Sequence, residues 1–130
     1  MTTENIDPLF QIQVNVTTRY LDEQSSPRDE RFVFAYTITI SNKGEHAARL
    51  VKRHWVITDA EGGVEEVRGR GVVGEQPYLV PGGEFQYTSG TILKTPVGSM
   101  AGSYSLVTDE GEQFEAEIPA FSLSVPHFLH

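Results

Sequence analysis

The residues best able to do chemistry lie in one short stretch, Gly69-Arg-Gly-Val-Val-Gly74, which Arg68 directly precedes. Its spacing matches G-x-G-x-x-G, which in dinucleotide-binding domains follows a strand and opens a helix whose N-terminus binds a pyrophosphate. Backbone N–H groups in a glycine-rich turn can also hold an anion beside arginine side chains. The candidate residues for binding an anion or a partner are therefore Arg68, Gly69, Arg70, Gly71 and Gly74.

The residues that follow this motif favour a structural loop instead. Glu75-Gln-Pro-Tyr78 shows no helical pattern, and Pro77 restricts the residue before it to extended backbone. No strand–helix–strand unit surrounds the motif. The glycines would then supply positive φ angles or allow close backbone packing in a bulged loop. Both interpretations stay open at this point, and the two arginines are what keeps an anion site in consideration.

Other constellations of catalytic or metal-binding residues are sparse. The chain has no cysteine, which excludes thiol nucleophiles, disulfides and thiolate metal sites. Of its four histidines, His54 falls in a strand pattern, and His127 and His130 belong to the C-terminal tail. No G-x-S-x-G nucleophile motif occurs. The sequence therefore predicts no catalytic residue, no metal, no cofactor and a protein that is not an enzyme.

The segments that must position these residues alternate between apolar and polar positions. Phe32, Phe34, Tyr36, Ile38 and Ile40 recur with the period of two that is typical of a strand with one buried face. Similar segments recur about every 8–12 residues with turn signals between them, and no long segment has a helical period. We expect an all-β fold with at least seven strands in a two-sheet antiparallel sandwich.

The same alternation also predicts the positions of individual side chains and turns. Val51, Trp55 and Ile57 share one strand face, and Arg53 shares it too, so Arg53 should lie near a strand end or pair with an acid. Ranges 69–77 and 96–102 should be loops, and Asp109-Glu-Gly111 should turn a hairpin. The residues expected to be largely buried are Phe34, Tyr36, Ile38, Trp55, Phe85, Tyr87, Tyr104 and Leu106.

Length and charge limit the classes of function. The 130 residues predict one domain, 1–130, with flexible ends at 1–9 and 126–130. A net charge of −8 argues against general nucleic-acid binding. The N-terminus does not resemble a signal peptide, and no apolar run approaches the ~20 residues of a membrane helix. The chain is therefore not expected to contact a membrane.

Several motifs together are distinctive: Trp55-Val-Ile-Thr-Asp59, the glycine stretch with Glu75-Gln-Pro77, Leu79-Val-Pro-Gly82, Phe85-Gln-Tyr-Thr-Ser-Gly90 and Ile118-Pro-Ala-Phe121. From about Gln11 to Val125 the chain resembles the ApaG family, also called CorD in bacteria. The resemblance implies an immunoglobulin- or fibronectin-III-like sandwich in a cytoplasmic protein that is associated with cobalt tolerance and magnesium efflux.

The resemblance also bears on the partner. Similar domains in eukaryotic F-box proteins look like protein-interaction modules, and no biochemical activity is settled for the family. The expected partner is thus a protein of unknown identity, with a small anion or nucleotide as the alternative ligand. The family's glycine element matches Gly69, Gly71 and Gly74, so the choice between the two ligands is left open.

Overall fold

Two antiparallel β-sheets make up the fold. The computed structural model describes residues 11–126, in which eight strands occur. The strands are β1 (Ile12–Tyr20), β2 (Phe32–Asn42), β3 (Ala48–Asp59), β4 (Val64–Arg70), β5 (Tyr78–Leu79), β6 (Glu84–Leu93), β7 (Val97–Thr108) and β8 (Gln113–Ser124). The predicted all-β, two-sheet architecture is confirmed.

Two short helical segments lie in the connection between β1 and β2. Asp22–Gln24 and Pro27–Asp29 form short 3₁₀ turns between β1 and β2. No helix within residues 11–126 is long and apolar enough to cross a membrane. The predicted flexible ends, 1–9 and 126–130, lie outside the described residues except for Pro126.

The strand order leaves one side of the sandwich open. The first sheet has the order β1-β2-β6, and the second has the order β4-β3-β7-β8 with β5 also paired to β3. On one side β1 lies against β8 and closes the space between the sheets. On the other side β6 and β4 are edge strands with no strand paired beyond them among residues 11–126. The space between the two sheets can therefore be reached from this open side.

The core lies between the sheets and contains seven of the eight residues predicted to be buried. Trp55 is 3% exposed and meets the rings of Tyr36 and Phe121 edge-on at centroid distances of 5.5 and 6.0 Å. Phe85 is the exception, because it lies near the start of β6 and is only half-buried. Its ring still packs against the core and lies 6.3 Å from that of Tyr87.

A β-bulge in β3 reverses which of Leu50 and Val51 faces the core. The pairing of β3 with β7 shifts register between Leu50 and Lys52. Leu50 is therefore fully buried, whereas Val51 is only half-buried. Contrary to the prediction, Val51 does not share the face of Trp55. A bulge inserts one residue into a strand and reverses the alternation beyond it.

Two ranges predicted to be loops, 69–77 and 96–102, belong partly to strands. Gly69 and Arg70 are the last residues of β4, and the range 97–102 forms the first half of β7. Gly102 lies so close to β3 that a Cβ would overlap the carbonyl oxygen of His54. Glycine is required there by close strand approach, not by a turn.

Candidate functional site

The stretch from Gly71 to Pro77 is a bulged loop in the edge of the second sheet. The N–H of Gly71 donates to the carbonyl of Val51 at 2.9 Å, and the carbonyl of Pro77 accepts from the N–H of Leu50 at 3.0 Å. The edge thus stays attached to β3 on both sides of the loop, directly beside the bulge in β3. Val72 is fully buried and anchors the loop in the core.

The glycines of this loop have conformational roles. Gly71 has φ +60°, and a Cβ there would overlap the carbonyl oxygen of Glu75. Gly74 has φ +82°, with open space where a Cβ would be. Val73 precedes it with φ 42°, and Val72 and Glu75 exchange two backbone hydrogen bonds around the pair. These features are typical of a two-residue type I′ turn.

Three N–H groups of this loop are not available to an anion. The N–H groups of Gly71, Val72 and Glu75 all donate to backbone carbonyls within the protein. An anion nest requires successive N–H groups that are free to point at the ligand. The structural interpretation of Gly71 and Gly74 therefore agrees with the observed backbone.

The two arginines of the motif lie on the outer face of the second sheet. Arg70 pairs with Lys52 across the β3–β4 register, and Arg68 pairs with His54. Glu66 accepts a hydrogen bond from Arg68 at 3.2 Å, and its carboxylate oxygen lies 3.0 Å from Nε2 of His54. The hydrogen bond with His54 and the charge of Arg68 lower the pKa of Glu66. The structure places the two arginines on the same face of β4, and Gly71 and Gly74 in the bulged loop that follows that strand.

Gly69 faces inward, opposite Arg53. A Cβ on Gly69 would come within 2.7 Å of the Arg53 guanidinium, so a side chain at this position would require that guanidinium to shift. One nitrogen of that guanidinium donates to the carbonyls of Arg70 and Gly71, each at 3.0 Å. Within residues 11–126 no carboxylate lies within 4.0 Å of Arg53. The prediction that Arg53 lies at a strand end or pairs with an acid is wrong, because backbone carbonyls take its hydrogen bonds.

Three buried tyrosines lie near Arg53. The hydroxyls of Tyr87 and Tyr104 are 2.5 Å apart. Burial raises the pKa of Tyr87 to about 12, and it raises the pKa of Tyr104 further. Burial also raises the pKa of Tyr36. A hydrogen bond with Ser89 and the charge of Arg53 lower it, but by less than burial raises it. The interior thus combines aromatic surface, hydroxyl groups and one guanidinium.

A cavity of about 770 Å³ lies along the free edge of β6, where the range 88–92 lines it from both faces of the strand, and Glu65 and Val67 of β4 line it as well. On the inner face Trp55, Tyr36 and Ser89 line it, together with Arg53. On the outer face it is lined by residues of β2 and β6 that include Ala35, Gly90 and Ile92. We call this cavity the β6 groove.

Sequence reasoning missed the β6 groove. Gly90 was the available signal, because a glycine inside a strand often marks a place where another chain or ligand approaches closely. The groove also depends on which strands form the open side, and strand order was not predicted. Among the residues that the structure describes, no group of three or more His, Asp or Glu side chains is placed to hold a metal ion.

Comparison with known proteins gives a consistent family assignment. A family model described as "ApaG domain" matches residues 22–108. The chain is 59% identical over 121 residues to Protein ApaG of Thiobacillus denitrificans, which covers 93% of this chain and 95% of the relative. It is 56% identical over 124 residues to Protein ApaG of Pseudomonas paraeruginosa, with coverage of 95% and 98%.

Solved structures agree with this. The crystal structure of the putative ApaA protein from Bordetella pertussis superposes with a TM-score of 0.88 at 51% identity. The alignment covers 90% of this chain and 95% of that one. Both the sequence and the fold are therefore shared over nearly the whole chain.

Proposed function

The chain belongs to the ApaG family, and on that premise we propose that it is a non-enzymatic module that binds another protein along the free edge of β6. The observation that carries this proposal is the β6 groove, which is lined from both faces of an edge strand whose outer edge has no paired strand among residues 11–126. An exposed strand edge presents unpaired N–H and C=O groups that an extended peptide can pair with.

Strand addition uses both sides of such an edge. Successive side chains of an added strand point to opposite faces of the sheet. One set would enter the inner part of the β6 groove against Trp55 and Tyr36, and the other would lie on the outer face between Ala35 and Ile92. Ile92 is 49% exposed and supplies apolar surface at that position. The groove thus suits an extended segment with apolar side chains at alternate positions.

Arg53 favours a bound segment that carries a negative charge. Its guanidinium lines the inner part of the groove, and no carboxylate within residues 11–126 lies within 4.0 Å of it. Charge-assisted hydrogen bonds are stronger than neutral ones, especially where water is partly excluded. We expect the bound segment to carry one acidic side chain that faces Arg53.

The family resemblance indicates the cellular compartment and the processes in which the proposed binding would take place. It implies a cytoplasmic protein that is associated with cobalt tolerance and magnesium efflux, and in our proposal that association would act through the protein partner. The alternative, a small anion or nucleotide held by the glycine loop, is less well supported. The N–H groups of Gly71, Val72 and Glu75 are already hydrogen-bonded.

Site-specific photo-crosslinking in cells tests the proposal. A photoreactive phenylalanine analogue replaces Ile92 in one variant and Val80 in a matched control, since the two side chains are 49% and 50% exposed. Discrete protein adducts should form at position 92 and not at 80, and excess unlabelled protein should suppress them. Adducts that are absent at 92, or equal at both positions, would contradict the proposal.

A charge on the strand edge gives a second test. Ile92→Lys should abolish the adducts of a photoreactive analogue at Thr88, because a lysine on an edge strand opposes strand addition. Val80→Lys is the matched control and should leave those adducts unchanged. Equal adduct yields in both variants would show that β6 is not the docking edge.

A further inference from the structure

Four basic or potentially basic side chains share the outer face of the second sheet. Arg70 lies opposite Lys52, and Arg68 lies opposite His54, on adjacent positions of the β3–β4 pair. We call these four residues the basic face. They line a depression of about 450 Å³ that also includes Ser103 and Ser105 of β7.

The basic face is only partly neutralised. Glu66 lies against His54 and Arg68. Within residues 11–126, no carboxylate lies within 4.0 Å of the charged atoms of Lys52 or Arg70. Like charges directly opposite each other on a sheet destabilise it. The Lys52–Arg70 pair thus places two positive charges at opposite positions of the sheet, where a bound anion would offset their repulsion.

The surroundings limit the extent of this positive surface. Glu115 bounds the depression on the β8 side, where it accepts a hydrogen bond of 2.7 Å from the hydroxyl of Ser105. The whole chain carries a net charge of −8. This net charge disfavours long-range attraction of an anion, so binding would depend on close contact with Lys52 and Arg70.

We propose that the basic face is a binding site for a phosphate-type anion. A phosphoryl group has several acceptor oxygens, which suit the planar guanidinium of Arg70 and the point charge of Lys52. Arg68, two residues before Arg70 on the same face, can supply further donors to a second phosphoryl group. Both strands lie within a sheet, so the donors start from fixed backbone positions. The basic face lies on the opposite face of the sheet from Trp55, and among residues 11–126 Arg53 is the one residue that lines both its depression and the β6 groove.

Calorimetric titration of the full chain with inorganic pyrophosphate at low salt tests the proposal. Lys52→Gln and Arg70→Gln should each weaken binding by about tenfold, and added salt should weaken it further. Lys94→Gln and Arg28→Gln are matched controls at exposed cations elsewhere and should leave the affinity unchanged. Thermal melts without ligand should be the same for all four variants or slightly higher for Lys52→Gln and Arg70→Gln.

Two results would overturn the proposal: no detectable binding of pyrophosphate at concentrations up to roughly 10 mM at low salt, or an equal loss of affinity in the controls, since non-specific attraction depends only on charge. A parallel titration with a phosphoserine peptide, and with its serine form as control, identifies the source of the anion. Tighter binding of pyrophosphate indicates a free small molecule. Tighter binding of the phosphopeptide, lost in the same two variants, indicates a phosphorylated partner.

Discussion

At the scale of single residues, the glycine motif shows that two glycines in one loop can be required for different reasons. At Gly71 both the positive φ and the carbonyl of Glu75 exclude a side chain. At Gly74 only the φ value disfavours one, because the space around it is open. A left-handed conformation costs about 1–2 kcal/mol for a residue with a Cβ.

Alanine substitutions separate these two effects. Gly74→Ala should lower the free energy of unfolding by about 1–2 kcal/mol. Gly71→Ala should lower it by more, because overpacking adds about 1–3 kcal/mol to the conformational strain. Urea unfolding of the two variants measures the difference. Equal losses would mean that the chain around Glu75 moves aside without cost.

Val73 is the residue whose backbone conformation is least suited to its type. It has φ 42° at the first central position of the type I′ turn, where a β-branched side chain is disfavoured and asparagine is preferred. Its side chain is 54% exposed, so little packing is lost when it is replaced. Val73→Asn should therefore raise the free energy of unfolding by about 0.5–1.5 kcal/mol. A fall in stability in urea unfolding would show that Val73 makes a contact that outweighs its strain.

At the scale of strands, the sheets depend on close approach at particular pairs. Gly102 of β7 pairs with Trp55 of β3, and a Cβ on Gly102 would overlap the carbonyl of His54. Gly102→Ala should therefore lower the free energy of unfolding by about 1–3 kcal/mol through overpacking. Ser103→Ala, on the next residue and the outer face, is the control and should change stability by less than about 0.5 kcal/mol. Similar effects in both variants would contradict the close approach of the two strands.

Alternation along the strands was enough to predict the all-β fold and most of the core. Bulges could not be predicted in this way, because an inserted residue is defined only against its partner strand. The bulge at Leu50–Lys52 is the reason that Val51 was assigned to the wrong face. Arg53 was given the correct face, but its binding to the carbonyls of Arg70 and Gly71 requires the β3–β4 register. The groove requires the strand order as well, which periodicity does not contain.

At the scale of the whole molecule, the buried tyrosines couple folding to alkaline pH. Burial raises the folded-state pKa of Tyr87 to about 12, whereas tyrosine in the unfolded chain ionises near 10. Below about pH 10 neither state loses the proton, so stability is unaffected. Above pH 10 the unfolded chain releases protons that the folded chain retains, and stability falls as pH rises toward 12.

This predicts that Tyr36, Tyr87 and Tyr104 ionise late in a spectrophotometric titration. The signal from Tyr36, Tyr87 and Tyr104 should appear only as the near-ultraviolet circular dichroism of Trp55 is lost, because their ionisation accompanies unfolding. A single titration step near pH 10 that leaves the dichroism intact would show that the three hydroxyls are accessible in the folded protein.

The central claim is that the open side of the sandwich binds a protein segment along β6. Hydrogen–deuterium exchange of the domain, alone and with the partner recovered by crosslinking at position 92, tests it most directly. Strand addition predicts slower amide exchange within Glu84–Leu93, with no change along the edge strand β1 at Ile12–Tyr20. Protection that leaves β6 unchanged and falls on β1, on β8 or on the basic face would contradict the account.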